Sequence, residues 1–279
     1  MSMPMWCCAC LLFGIALVSG CQKKNAPAVR VSGGTASQPT AVGERAAGDS
    51  APVLDAVNPE AAPIAAIHQL GGRVEVDDKT KAAAIVNLCA ARDVDAALAH
   101  VKALPQVEIV NLSTTTVSAA GLAHLRDLRH LKKLYLYQAQ VKDAGLAHVG
   151  ALPQLVHLDL AMTPITDAGL AHLKGLTKLQ QLRLPFTAVS DAGLVHLAGL
   201  TELHGLNLSF TQVTDAGLAN LKALTQLRDL HLDGLKVTAP GVTQLQGLAE
   251  LTQMEVVGTG VTAKDDDALR KTFPKLKRR

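Results

Sequence analysis

Five histidines, His100, His124, His148, His172 and His196, recur every 24 residues along the chain. Imidazoles at one spacing can ligate a metal or titrate together near neutral pH. A metal centre needs donors that converge from several directions and groups behind them that orient each ring. A straight column supplies neither, and Asn220 and Gln244 continue the same column with neutral side chains. The expectation is a partly exposed structural position, with crowding lowering the imidazole pKa values, and no metal or cofactor.

Asp143, Asp167, Asp191 and Asp215 form a second column at the same period. An acidic residue at the start of a short helix caps free amides and faces the positive end of the helix. That explains the column better than calcium. Asp265-Asp266-Asp267 lacks the alternate spacing and the glycine of a calcium loop and reads as a helix start. Ser50 has nothing to place a base beside it. The sequence contains no phosphate-binding loop, HExxH, GxSxG or dinucleotide fingerprint, so no residue is assigned a catalytic role.

The aromatics are the third set. Between residues 83 and 272 there are only Tyr135, Tyr137, Phe186 and Phe210. Aromatics anchor protein interfaces. Tyr135 and Tyr137 fall on outward places of one strand, and Phe186 and Phe210 lie one repeat apart, so their rings should be neighbours. With Asp159, Arg183, Asn207, His231 and Asp233 they form a mixed surface suited to a protein or peptide, and Lys132 and Lys133 lie beside it.

The elements that position these residues follow from the repeat. Copies such as 155–178 (LVHLDLAMTPITDAGLAHLKGLTK) and 179–202 (LQQLRLPFTAVSDAGLVHLAGLTE) share one pattern. About eight units cover 83–274, the first and last of them atypical, as terminal caps are. Leu158 and Leu160 alternate inward along a strand. Thr163 ends it, and its hydroxyl is placed to bond buried backbone and to form a ladder with Thr187 and Thr211. Ile165 turns inward. Thr166 or Asp167 caps a short helix whose Leu170, Leu173 and Leu176 face the core. Gly169 and its equivalents sit inside that helix, where glycine costs about 1 kcal/mol relative to alanine, which implies close packing between coils.

The pattern LxxLxLxxTxVTDAGLxHLxxL resembles the leucine-rich-repeat family. The resemblance implies an α/β solenoid, a curved right-handed coil with parallel strands on the concave face and short helices on the convex face. A helix from Pro63, Gly71-Gly72 and the strand-like Arg73–Val76 precede the repeats and form an expected N-terminal cap over 63–82. This order resembles leucine-rich-repeat lipoproteins of planctomycete-type bacteria.

The start of the chain looks like a targeting segment. Residues 5–18 are an apolar run of 14, too short to span a membrane but suited to a signal-peptide core. Val18, Ser19 and Gly20 then precede Cys21, which resembles a bacterial lipobox and implies cleavage after residue 20 and lipidation of Cys21. Met1 to Met5 carry no Lys or Arg, so the α-amino group is the positive charge of that segment. Gln22, where enteric-type lipoproteins destined for the inner membrane have Asp, leaves outer-membrane sorting open. Residues 21–62, rich in Ala, Pro and Gly, read as a disordered tether. Cys7, Cys8 and Cys10 would be removed, leaving Cys21 and Cys89 and no intrachain disulfide.

Aromatics make up 3% of a chain that is 48% hydrophobic, which fits a leucine-built repeat core. A net charge of +3 gives no reason to expect nucleic acid, and the basic run 275–279 reads as a solubilising tail. The expected function is a non-enzymatic module binding a protein or peptide, lipid-anchored in the cell envelope, with contact to the membrane through the anchor alone. The alternatives are a structural envelope spacer, or a substrate-recognition adaptor resembling leucine-rich-repeat ubiquitin-ligase receptors.

Overall fold

A leucine every few residues cannot be buried by a single 24-residue unit, because one strand and one short helix leave an apolar flank open on each side. In the computed structural model, which describes residues 58–277, stacking closes those flanks. The described strands form one open nine-stranded sheet in chain order: β1 (Arg73–Val76), β2 (Ala83–Asn87), β3 (Ile109–Asn111), β4 (Lys133–Tyr135), β5 (His157–Asp159), β6 (Gln181–Arg183), β7 (Gly205–Asn207), β8 (Asp229–His231) and β9 (Gln253–Glu255). From β2 onward every pairing is parallel and one repeat out of phase, so Leu134, Leu158, Leu182, Leu206, Leu230 and Met254 are consecutive neighbours. Those leucines are buried, as are Leu160, Ile165, Leu170, Leu173 and Leu176 of the central unit. This is the leucine-rich-repeat solenoid expected from the register.

Short helices return the chain between strands: α2 (Val94–Val101), α3 (Ala119–Ala123), α4 (Asp143–Val149), α5 (Asp167–Ala171), α6 (Asp191–Leu194), α7 (Asp215–Leu218) and α8 (Ala239–Thr243). They are preceded by α1 (Ala61–Gln69) and followed by α9 (Asp266–Thr272). No described helix is long and apolar enough to cross a membrane.

Both ends are closed. Helix α1 starts two residues before the Pro63 start read from the sequence. The reason is Glu60, buried despite its charge, whose carboxylate accepts the Ala83 amide at 2.7 Å. Strand β1 then pairs antiparallel with β2. At the other end, α9 lays Leu269 over the last repeat, and Phe273, which follows it, is also buried. Of the basic run, Lys275 pairs with Glu250 at 2.6 Å. The expected signal peptide, Cys21 and the tether up to residue 57 lie outside the described residues.

Two details differ from the sequence reading. The threonine hydroxyls do not ladder between repeats. Thr115, Thr163, Thr187 and Thr211 each donate to a backbone carbonyl three residues earlier, at 2.6–2.7 Å. A carbonyl turned inward at the strand end has lost its sheet partner, and the nearest hydroxyl is on its own coil. The aspartates, expected as caps, do not cap their own helices. Thr166, Ser190 and Thr214 accept the helix amides of α5, α6 and α7. Asp143, Asp167 and Asp191 instead reach the next coil and accept both the amide and the hydroxyl of those capping residues.

Candidate binding face and a carboxylate-imidazole cluster

Parallel register turns a sequence column into a spatial row. One residue per strand faces away from the core at the third strand position, giving Asn111, Tyr135, Asp159, Arg183, Asn207, His231 and Glu255 in consecutive cross-strand pairs. The predicted residues Tyr135, Asp159, Arg183, Asn207 and His231 are therefore contiguous. Two of them also serve the backbone: Asp159 accepts the Ala161 amide at 3.0 Å and Asn207 accepts the Ser209 amide at 2.9 Å.

The centre of the row is electrostatically organised. Asp159 is 7% exposed and lies 3.6 Å from the Arg183 guanidinium. The Tyr135 ring sits 5.0 Å from that of His157, tilted by 48°. Burial, then the Asp159 charge, pushes the Tyr135 phenol up. Burial holds the His157 imidazole below its usual range against the pull of Asp159, with Arg183 and Lys133 adding to the depression. His157 stands in the outward row beside Lys133 and Gln181 and joins the expected face, although it is not among the aromatics that mark that face in the sequence. Gln181 lies over Gly205, where a Cβ would meet its amide.

Beyond the strands runs a row in left-handed backbone conformation. Thr114, Gln138, Met162, Phe186 and Phe210 have φ between 54° and 61°, and Gly234 and Gly258 continue the row. The cause is a backbone ladder. The amide of each, from Thr114 to Gly234, donates to the carbonyl one residue before the equivalent place in the next repeat, at 2.7–3.1 Å. For a residue with a Cβ this conformation costs on the order of 1–2 kcal/mol. Phe186 and Phe210 nevertheless occupy it. Their rings stack at 4.5 Å and 7°, each about half exposed, and Met162 at 40% extends the ridge. Phe210 in turn lies over Gly234, where a Cβ would meet its ring. The one-repeat spacing foretold the stacking. Met162 carries no ring, so the aromatic set in the sequence does not include it.

Tyr137 lies just past β4, half-buried, and its carbonyl accepts the Thr114 amide at 2.7 Å. At the far end of the row, His231, Asp233 and Glu255 come together: each offers one donor atom, all within 4.8 Å of one another. His231 Nδ1 is 3.0 Å from the carboxylate of Glu255, which is 4% exposed. No metal ligand is expected from the sequence, and Glu255 is not among the expected site residues, although the repeat register places it directly opposite His231. The histidine column is elsewhere, at the C-terminal parts of the helices and the turns after them. Within it, His148 is held below the usual imidazole range by burial and then by Arg126, not by crowding of like rings.

A family model described as a Leucine Rich repeat matches residues 152–173. Among solved structures the chain is similar to an internalin C2 of Listeria monocytogenes, with 23% identity, 73% of this chain and 86% of that one covered, and a TM-score of 0.47. It is also similar to an internalin F of the same organism, with 22% identity, coverage of 64% and 61%, and a TM-score of 0.43. No curated protein matches the chain by sequence. The matched stretch joins two consecutive 24-residue units, and the parallel strand register carries the same unit from β2 to β9: the chain folds as a leucine-rich-repeat solenoid.

Proposed function

We propose that this chain is a non-enzymatic recognition module that binds a protein or peptide across the open face of its sheet, held in the cell envelope by a lipid on Cys21. The observation that supports it is the exposed ridge Met162–Phe186–Phe210 at positive φ. Glycine fits this backbone without strain and stands there in the next two repeats, yet bulky apolar side chains occupy it and face solvent. Strain kept at an exposed site is characteristic of ligand surfaces. The adjoining row from Tyr135 to His231 supplies partly buried polar anchors around the buried Asp159, which orient a partner while the rings bury apolar area.

The test is retention of partners from envelope extract by the full chain and by Phe186→Asn/Phe210→Asn. Asparagine tolerates left-handed backbone, so the fold should keep its thermal stability. Loss of two anchor side chains should weaken capture by at least about 30-fold, the effect of one interface hot spot. Tyr135→Ala/Tyr137→Ala probes the neighbouring part of the face. Identical partner lists for both variants and wild type would remove the recognition reading and favour a spacer. Metabolic labelling with a fatty-acid probe should mark wild type and leave Cys21→Ser unlabelled; equal labelling would remove the anchor.

A further inference from the structure

We infer that His231, Asp233 and Glu255 form a site for a first-row divalent cation of the zinc type. The three donors are one imidazole nitrogen and two carboxylates, within 4.8 Å of one another. Tetrahedral zinc bonds of about 2.0–2.2 Å separate donors by roughly 3.3–3.6 Å. The 3.0 Å between His231 Nδ1 and Glu255 Oε2 therefore opens to metal-bound geometry with small side-chain rotations. The placement is rigid. His231 and Glu255 are direct partners across the β8–β9 pairing, and Asp233 lies two residues beyond His231.

Supporting groups orient the carboxylate. Asp233 Oδ1 accepts the Val257 amide at 2.8 Å, and Asp233 Oδ2 lies 3.3 Å from the Ser209 hydroxyl. Each oxygen keeps a second lone pair for a metal. The charge balance favours a cation too. With a neutral imidazole the cluster carries two negative charges, one on the nearly buried Glu255, and crowding like charges at low solvent exposure is unfavourable. Mixed nitrogen and oxygen donors select zinc-type ions over calcium and magnesium, which prefer all-oxygen shells. His231 and Asp233 are partly exposed, which leaves coordination positions for water or a carboxylate from outside. The cation site does not depend on the partner reading, because the metal alone is its probe.

The experiment is calorimetric titration of chelator-treated full-length protein with Zn2+, and separately with Mn2+, Mg2+ and Ca2+. One equivalent of Zn2+ should bind at pH 7.5, with Mg2+ and Ca2+ at least about tenfold weaker. Glu255→Gln and His231→Asn should each weaken that equivalent by at least about tenfold. Asp233→Asn keeps an acceptor for the Val257 amide and so preserves the turn while losing the charge; it should show the same loss with an unchanged circular dichroism spectrum. His172→Asn, at an exposed member of the histidine column, should bind as wild type does. Absence of a Zn2+ equivalent, or its persistence in Asp233→Asn and His231→Asn, overturns the site.

Discussion

Each aspartate at the start of a repeat helix decides which residue the next repeat can carry. Asp167 grips Ser190, and its carboxylate fills the space where a Cβ on Gly193 would stand. The same holds for Asp143 with Gly169, Asp191 with Gly217, Asp215 with Gly241 and Asp95 with Gly121. The aspartate is absent at two places: at Ala239, where Asp265 stands in place of the glycine, and at Ala119, where Gly145 is kept and faces Leu122 and Val141 instead. Gly193→Ala gains about 1 kcal/mol of helix propensity but overpacks by about 1–3 kcal/mol. It should therefore lower stability in wild type by up to about 2 kcal/mol and be neutral or stabilising in an Asp167→Ala background, measured by urea unfolding. Unfolding free energies that fall equally in both backgrounds would show that the carboxylate is not the obstacle. The glycine column, its cost and the implied close packing were legible in the sequence. Its cause was not, because the two members of each pair sit 26 positions apart and meet only after stacking. His157 gives a second residue-scale expectation. Its folded-state pKa is depressed, so the unfolded chain binds the proton more tightly. Stability is then complete above the unfolded value of about 6.5 and falls as pH drops toward the folded value. Unfolding at pH 7.5 and 5.0 should show this loss in wild type and a smaller one in His157→Gln; equal losses would exclude His157 as the source.

At the scale of elements, the carboxylate latch is present at every seam from α4 to the turn before α8, and also between α2 and α3, where Asp95 holds the Ser118 amide at 3.1 Å. It is missing between α3 and α4. Ala119 stands where the aspartate belongs, and Lys142 caps α4 without a side-chain hydrogen bond. Gly145 there faces Leu122 and Val141 rather than a carboxylate, so an aspartate at 119 would find room. Ala119→Asp/Lys142→Thr should install the latch and a helix cap together and raise stability by about 1 kcal/mol, in the range of a restored cap. Either single change should give less than half of that, and a double variant no more stable than wild type would show that the latch contributes nothing there. Strand and helix order were readable because leucine spacing changes from alternate to every third residue within each unit. The left-handed row was not readable. Its conformation is imposed by amides reaching carbonyls of the next repeat, and phenylalanine is a residue type that argues against it. The open face was half legible for the same reason: Tyr135, Asp159, Arg183, Asn207 and His231 were found, while Glu255 needed the cross-strand partner of His231.

Across the described solenoid, each repeat touches its neighbours in sequence, so stability is held by a chain of nearest-neighbour interfaces with two closed ends. That makes the ends decisive. Phe273 is 2% exposed and follows α9, covering the last leucine layer with Leu269. Phe273→Ala removes a buried aromatic, at about 3–5 kcal/mol. In a one-dimensional stack that loss is local: the terminal repeat opens while inner repeats stay paired. Amide hydrogen exchange should lose protection most in β9, less in β8, and not measurably in β3 to β5. A uniform loss across all strands would mean instead that the repeats unfold as one cooperative unit. The location matters for the inferred cation site, because Glu255 is on β9 and His231 on β8. Bound Zn2+ bridges those two strands, and a ligand that binds only the closed state stabilises it by mass action. Added Zn2+ should therefore restore β9 protection in Phe273→Ala, and should fail to do so once Asp233→Asn is introduced.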